Sequence, residues 1–260
     1  MPAIQPPRKD PPPHPTVRDI GYAARTIVQC FQQHGLRCCV FGSAACVMYG
    51  AKLNRIPRDL DIVVFTTHLP EDLKRLLAST DRRFHLIPSK APNSPSHIVL
   101  YFRLRGRRPD PAREPGSQRT LPRTLKVDLC VPGMLDLPFV PAWHMVCGPC
   151  EPCVPVVPLL VLLGLELRGW TDHRDSTKEK YREKTNDHVD DVERLLEVAV
   201  MGLNDEGEGR QKKARWKDVD WLPEQLRENV QRRVGEFVKE RPGTVDWWRA
   251  LGFEVVWGEG

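Results

Sequence analysis

Two acidic residues alternate along one apolar segment of this chain. They are Asp59 and Asp61, in the run Asp59-Leu60-Asp61-Ile62-Val63-Val64. Alternation places both side chains on one face of a strand, while Leu60 and Ile62 face the core. Acidic residues are disfavoured in strands, and two on one face repel each other unless a cation lies between them. The pattern therefore predicts a divalent metal site, with a surface turn as the structural alternative.

A third carboxylate follows in the run Lys126-Val127-Asp128-Leu129-Cys130. Val127 and Leu129 are expected to point inward, so Asp128 joins the acidic pair if the two strands are neighbours. Three carboxylates can hold two Mg²⁺ ions, with Mn²⁺ as the alternative, and such ions orient an in-line displacement on a triphosphate. Asp128 is also placed to help deprotonate the attacking hydroxyl. A solvated carboxylate at a strand edge is the structural alternative.

A glycine and a serine precede these carboxylates, at the point where a short strand is expected to enter a helix. Gly42 allows the backbone to approach a phosphate closely, and Ser43 with the free amides that follow would meet the β- and γ-phosphates. A simple strand-to-helix turn is the alternative for this pair. The combination of turn and carboxylates predicts phosphoryl-transfer chemistry.

Apolar periodicity predicts an α/β (α+β) chain with a helical C-terminal half. A helix is expected after the N-cap Thr16, with Asp19 in its first turn and Gly35 as its stop. Strands are predicted over 37–41, 60–65, 97–105 and 125–131, with helices over 44–49 and 70–79. Further helices are predicted over 159–170, 187–201 and 223–240, with a short one over 244–251.

Composition and apolar periodicity together divide the chain into four parts. Residues 1–15 form a proline-rich arm that is expected to be disordered. Residues 16–137 form the α/β domain, with an exposed basic hairpin insertion over 106–123. A linker over 138–158 leads to a helical domain over 159–260.

The Gly42-Ser43 turn, the Asp59–Asp61 strand and the later Asp128 strand resemble the core of the polymerase-β-like nucleotidyltransferases. The apolar helix from Leu159, the basic stretch and the helix from Asp187 resemble the AbiEii-type and minimal nucleotidyltransferases. The resemblance covers roughly residues 37–199 and implies a mixed sheet flanked by helices, with a helical domain. It also implies Mg²⁺-dependent transfer of a nucleoside monophosphate from a nucleoside triphosphate to a hydroxyl of RNA, protein or a small molecule. On that resemblance the aspartates are metal ligands, and Gly42 and Ser43 contact phosphate.

Four further residues are candidates for nucleotide contacts. Glu166 stands where the family often carries a lysine, so Arg168 is a candidate for the missing cation. The segment around Lys184 and Asp187 lies near the nucleotide cleft in relatives, although a solvated face and a helix start are the structural alternatives. Arg58, next to the acidic strand, completes the set.

Composition limits the partners of this chain. Its 260 residues carry a net charge of +5, which suits a nucleotide or weak contact with RNA through the arginine-rich insertion. No secretory signal is recognised, and the longest apolar stretch, over 154–167, is too short to cross a bilayer. We expect a cytoplasmic protein, with the nucleus as the alternative, and no membrane partner.

Eight cysteines in such a chain are expected to be reduced thiols. Cys147, Cys150 and Cys153, with His144 before them, offer a zinc-organised module as a weaker alternative because a second pair of ligands is missing. A catalytically silent scaffold that binds nucleotide or RNA is the main alternative to an enzyme.

Overall fold

The computed structural model describes residues 14–89, 98–109, 120–147, 154–203, 216 and 219–255. The proline-rich arm up to residue 13 and the central part of the basic insertion therefore lie outside the described residues. The first described element is α1 (Val17–Gln33), which begins after the predicted N-cap Thr16, and Thr16 and Asp19 together form a capping box. The Thr16 hydroxyl accepts from the Asp19 amide, and the Asp19 carboxylate accepts from the Thr16 amide. Gly35 follows the helix with a φ of 69°.

A mixed sheet of seven strands forms the centre of the described structure. Its spatial order is β3-β4-β5-β2-β1-β7-β6. The strands β2 and β5 are parallel, as are β1 and β7, and the other neighbours are antiparallel. The strands are β1 (Cys38–Phe41), β2 (Asp59–Val64), β3 (Phe84–Pro88), β4 (Ile98–Pro109), β5 (Thr120–Cys130), β6 (Val146–Cys147) and β7 (Pro155–Val156).

Helices flank this sheet and make up the C-terminal part of the chain. Buried residues from all of them except the short helix Glu179–Arg182 join the strands in one apolar core, in which Trp170 and Trp248 are the largest fully buried side chains. The α/β class with a mixed sheet and flanking helices is thus confirmed. The remaining helices are α2 (Gly42–Met48), α3 (Pro70–Thr80), α4 (Leu159–Arg174), α5 (Glu179–Arg182), α6 (Thr185–Leu203), α7 (Glu224–Glu240) and α8 (Val245–Ala250).

Several elements differ from the sequence predictions. The strand β3 was not predicted, because it is a short edge strand recognisable mainly through its pairing with β4. The expected linker over 138–158 contains β6 and β7, and Val156 of β7 pairs with Val40 of β1. The helix predicted over 159–170 continues to Arg174, which lies over the Trp170 ring and pairs with Glu236 of α7 at 2.8 Å.

The cysteines follow the prediction only in part. Cys30, Cys38, Cys39, Cys46 and Cys130 are free and buried, as expected for reduced thiols. Cys147 is disulfide-bonded, so the prediction of reduced thiols is wrong at this residue. Cys150 and Cys153 lie outside the described residues. Among the helices that the structure describes, none has the length and apolar character needed to cross a membrane.

Candidate active site

The three predicted aspartates share one face of the sheet. Strands β2 and β5 run parallel in a register that places Asp61 beside Asp128. Leu60 and Val127, which are also register partners, are fully buried on the opposite face. Since side chains alternate along each strand, Asp59, Asp61 and Asp128 project together. We call these three residues the acidic face.

Gly42 lies directly against the acidic face. The last residue of β1, Phe41, pairs with Asp61, and the chain then turns at Gly42 with a φ of 69°. A Cβ atom on Gly42 would lie 2.5 Å from Oδ2 of Asp61. Both the positive φ and this approach require glycine. The turn therefore brings bare backbone next to the carboxylate predicted to bind metal.

The electrostatics of the acidic face favour a cation. Burial raises the pKa of Asp61 well above its usual range, and the charges of Asp59, Asp128 and Glu166 raise it further. One cation is already present, because the Nζ of Lys126 donates a hydrogen bond to Oδ2 of Asp128. Burial alone would lower the pKa of Lys126, but the bond to Asp128 and the neighbouring carboxylates outweigh it and raise that pKa.

Ser43 is tied to the C-terminal helices through a partly buried ion pair. Its hydroxyl donates to Oδ2 of Asp191 at 2.5 Å and accepts from Nη2 of Arg55 at 2.8 Å. Arg55 also donates to both carboxylate oxygens of Asp191, at 2.7 Å each. The Asp191 side chain is fully buried, whereas that of Arg55 is 29% exposed. We call Ser43, Arg55 and Asp191 the serine brace.

Sequence reasoning missed two members of this brace. Arg55 lies in the polar segment before β2. Its position in the chain, between Ser43 and Asp59, is the one sequence feature that could have indicated a role at the site. Asp191 lies one turn after Asp187 on α6, and it was assigned no functional role from the sequence. Burial raises the pKa of Asp191, as does the charge of Glu166, although the hydrogen bonds from Arg55 and Ser43 act in the opposite direction.

Glu166 has a structural partner of its own. It is buried on α4, and its Oε2 lies 2.8 Å from Nδ1 of His188. Gly169 makes room for this ring, because a Cβ there would lie 2.5 Å from Cε1 of His188. Burial alone would lower the pKa of His188, but the hydrogen bond and charge of Glu166 outweigh it and raise that pKa. The cation beside the glycine-serine turn is therefore Arg55 rather than a lysine at position 166.

Two sets of residues offer metal ligands. Among the described residues, the group of three whose ligand atoms all lie within 4.8 Å of one another is Cys46, Glu166 and Asp191. Asp191 is already saturated by the serine brace, so this group is better explained as an internal ion-pair cluster. The acidic face instead offers carboxylate oxygens beside the cradle at Gly42, and such hard oxygen ligands suit Mg²⁺.

The other predicted nucleotide contacts are distributed as follows. Asp187 reaches the serine brace, because its Oδ2 lies 3.5 Å from Nε of Arg55. Arg168 instead pairs with Asp136 at 3.1 Å and with Asp172 at 3.2 Å. Arg58 and Lys184 are exposed. For all four residues, contact with nucleotide stays a prediction.

Comparison with known proteins finds a solved structure that shares this architecture. No family model matches the sequence, and no match was found among curated proteins. The solved structure of an antigenic nucleotidyltransferase-like protein from Paracoccidioides brasiliensis is similar over 92% of this chain and 94% of its own. Its TM-score is 0.57 and the identity is 14%. This similarity shows the fold.

A second solved structure is more distant. Terminal uridylyl transferase 4 from Trypanosoma brucei, with bound GTP, aligns over 89% of this chain and 68% of its own, with 14% identity and a TM-score of 0.31. A TM-score this low does not establish a shared fold. The class of fold predicted from the sequence is confirmed by the first structure, while the closer resemblance to AbiEii-type proteins stays a prediction.

Proposed function

We propose that this protein is a Mg²⁺-dependent nucleotidyltransferase that moves a nucleoside monophosphate from a nucleoside triphosphate to a hydroxyl acceptor by a two-metal mechanism. The observation that carries the proposal is the close approach of Gly42 to Asp61. Asp61 in turn lies beside Asp128 on the neighbouring strand. A fold shared with a nucleotidyltransferase-like protein supports it. RNA, protein and small molecules are the candidate acceptors, and the basic insertion over 106–123 is the candidate RNA contact.

Each residue of the acidic face has a role in this proposal. Asp59, Asp61 and Asp128 would hold Mg²⁺, or Mn²⁺ in its place. When bound, such ions neutralise the triphosphate and lower the pKa of the attacking hydroxyl. Asp128 lies at the edge of the face, with its side chain 35% exposed, and can accept the proton of that hydroxyl. The partly buried Asp61 is the most constrained ligand, because Gly42 borders it.

The triphosphate would lie along the turn that begins at Gly42. The Ser43 hydroxyl proton is directed at Asp191, so Ser43 positions the turn rather than donating to phosphate. Arg55 is partly exposed and has a charge that suits a phosphate oxygen. Asp187 would act through Arg55. Arg58, Arg168 and Lys184 remain the candidates for outer contacts.

Label transfer tests this proposal directly. Each α-labelled nucleoside triphosphate is incubated with the protein, Mg²⁺ and total cellular RNA and protein, and the labelled product is identified. We expect transfer by the wild type and by Asp246→Asn, whose side chain is 93% exposed. Asp61→Asn and Asp128→Asn should lower transfer at least about 100-fold. Equal transfer by all four proteins would remove the assigned site.

The second candidate function is a catalytically silent scaffold that binds nucleotide or RNA. The engaged hydroxyl of Ser43 favours it, because the serine brace leaves this side chain without a free proton for phosphate. Calorimetric titration with ATP, GTP, CTP and UTP, with and without Mg²⁺, discriminates the two functions when it is paired with the transfer assay. Metal-dependent binding without any labelled product would support the scaffold.

A further inference from the structure

We propose that Lys126 is a built-in counter-ion of the acidic face that competes with a divalent ion for Asp128. This inference rests on the proposed function, because it concerns the ligands assigned there to metal. It concerns a residue to which sequence reasoning gave no role. The consequence is that the two metal positions differ in affinity, and that the position at Asp128 is the weaker one.

The sheet register places Lys126 within the acidic face. In the parallel pairing of β2 and β5, Lys126 is the partner of Asp59 just as Asp128 is the partner of Asp61. Lys126 precedes Asp128 by two residues on the same strand, so both side chains project from the same side of the sheet. The Nζ of Lys126 donates to Oδ2 of Asp128. Lysine and three carboxylates thus form a two-by-two array.

The charge of this array explains why Lys126 and a metal ion compete. When all three aspartates are ionised, they and the ammonium carry a net charge of −2, and the ammonium already occupies Oδ2 of Asp128. An ion held by Asp59 and Asp61 leaves that hydrogen bond in place. An ion held by Asp128 would lie close to the ammonium even if it used the other oxygen, Oδ1, so repulsion between the two cations weakens its binding until Lys126 moves away.

Nucleotide offers the displaced ammonium a new partner. The Lys126 side chain is 40% exposed, so it can turn away from Asp128 without crossing packed core. A triphosphate on the Gly42 turn would bring anionic oxygens to the same face. The second metal position should therefore fill readily when nucleotide is present and poorly when it is absent.

Titration with Mn²⁺ tests this inference, followed by the loss of the free-ion signal in electron paramagnetic resonance. The proteins compared are the wild type, Lys126→Met, which keeps the length of the side chain, and the matched control Lys239→Met, an exposed lysine in the last turn of α7. Without nucleotide, Lys126→Met should bind a second Mn²⁺ about 10-fold more tightly than the wild type or the control. Adding Asp128→Asn to Lys126→Met should abolish this gain.

Two results would overturn the inference in distinguishable ways. If the wild type and Lys126→Met bind Mn²⁺ with the same affinities, Lys126 does not compete, and the proposed function is unaffected. If neither protein binds Mn²⁺, with or without triphosphate, the proposed function fails together with the inference. Thermal unfolding verifies that each variant is folded, and Lys126→Gln, for which the same gain is expected, replaces any methionine variant that is not.

Discussion

A Cβ atom on Gly42 would lie 2.5 Å from Oδ2 of Asp61, well inside van der Waals contact. The antiparallel pairing of Phe41 with Asp61 creates this approach, because the chain leaves β1 at the level of the carboxylate. The same carboxylate lies beside Asp128 of β5, the strand that pairs with the edge of β2 away from β1. One aspartate therefore joins the glycine turn to the third carboxylate, and its position should control metal and nucleotide binding together.

Gly42→Ala should abolish Mg²⁺-dependent nucleotide binding, because the new methyl group would push Asp61 out of place. Gly35→Ala is the matched control. Gly35 has the same φ of 69°, but a Cβ there would meet nothing within 4 Å. Both variants should lose about 1–2 kcal/mol of stability through backbone strain, whereas only Gly42→Ala should lose binding. Calorimetry and chemical denaturation measure the two effects, and equal loss of binding in both variants would contradict the expectation.

Asp61→Asn should stabilise the metal-free protein by about 1–2 kcal/mol, because the amide removes a charge that burial and two neighbouring aspartates disfavour. The same variant should lose the stabilisation that Mg²⁺ gives to the wild type. Thermal unfolding in EDTA and in excess Mg²⁺ measures both quantities. Asp246→Asn, which is highly exposed, should behave like the wild type. A less stable Asp61→Asn protein in EDTA would show that the carboxylate has a structural partner.

Arg55→Ala should lower the free energy of unfolding by about 2–4 kcal/mol, because it leaves the fully buried Asp191 without its cation. The partial exposure of Arg55 makes the loss smaller than for a fully buried pair. Arg75→Ala removes a 60% exposed arginine whose ion pair, within the described part of the chain, is with Asp72 on its own helix, and it should change stability little. Urea denaturation measures both variants. Equal losses would show that the serine brace does not stabilise the fold.

His188→Gln should remove a pH dependence of stability that the wild type shows. The pKa of His188 is raised in the folded protein, so its stabilising charge is fully present below the unfolded value of about 6.5. This stabilisation is lost as the pH rises through the folded pKa. The charged and titratable groups around the ring are Glu166, Asp191, Arg55 and His173.

The measurement is urea denaturation of both proteins from pH 5.5 to pH 8.5. The stability advantage of the wild type over His188→Gln should be largest at the acidic end and should shrink toward the alkaline end. An advantage that stays constant, or that grows with pH, would show that the ring is neutral in the folded protein.

Sequence patterns predicted the acidic face because strand alternation is a local property. Alternation along each strand predicts that its aspartates and its apolar residues lie on opposite faces. The aspartates of β2 and β5 then share a face if the two strands pair, and this pairing had to be assumed from the sequence. Lys126 follows the same alternation and could have been recognised from its spacing to Asp128.

The serine brace could not have been predicted in the same way. Ser43 and Asp191 are 148 residues apart, and nothing local indicates that α6 places its carboxylate beneath the glycine turn. Likewise, the strand β7 consists of two residues in a segment that reads as a linker, and its pairing with Val40 depends on the rest of the sheet. Long-range contacts of this kind depend on tertiary packing, which overrides local sequence preference.

The most direct test of the central claim is calorimetric titration of the wild type and Asp61→Asn with each nucleoside triphosphate, in Mg²⁺ and in EDTA. The acidic face beside Gly42 predicts binding of at least one triphosphate by the wild type in Mg²⁺ alone, and at least about 100-fold weaker binding by Asp61→Asn. Binding that is the same in EDTA and in Mg²⁺, and the same in both proteins, would contradict it.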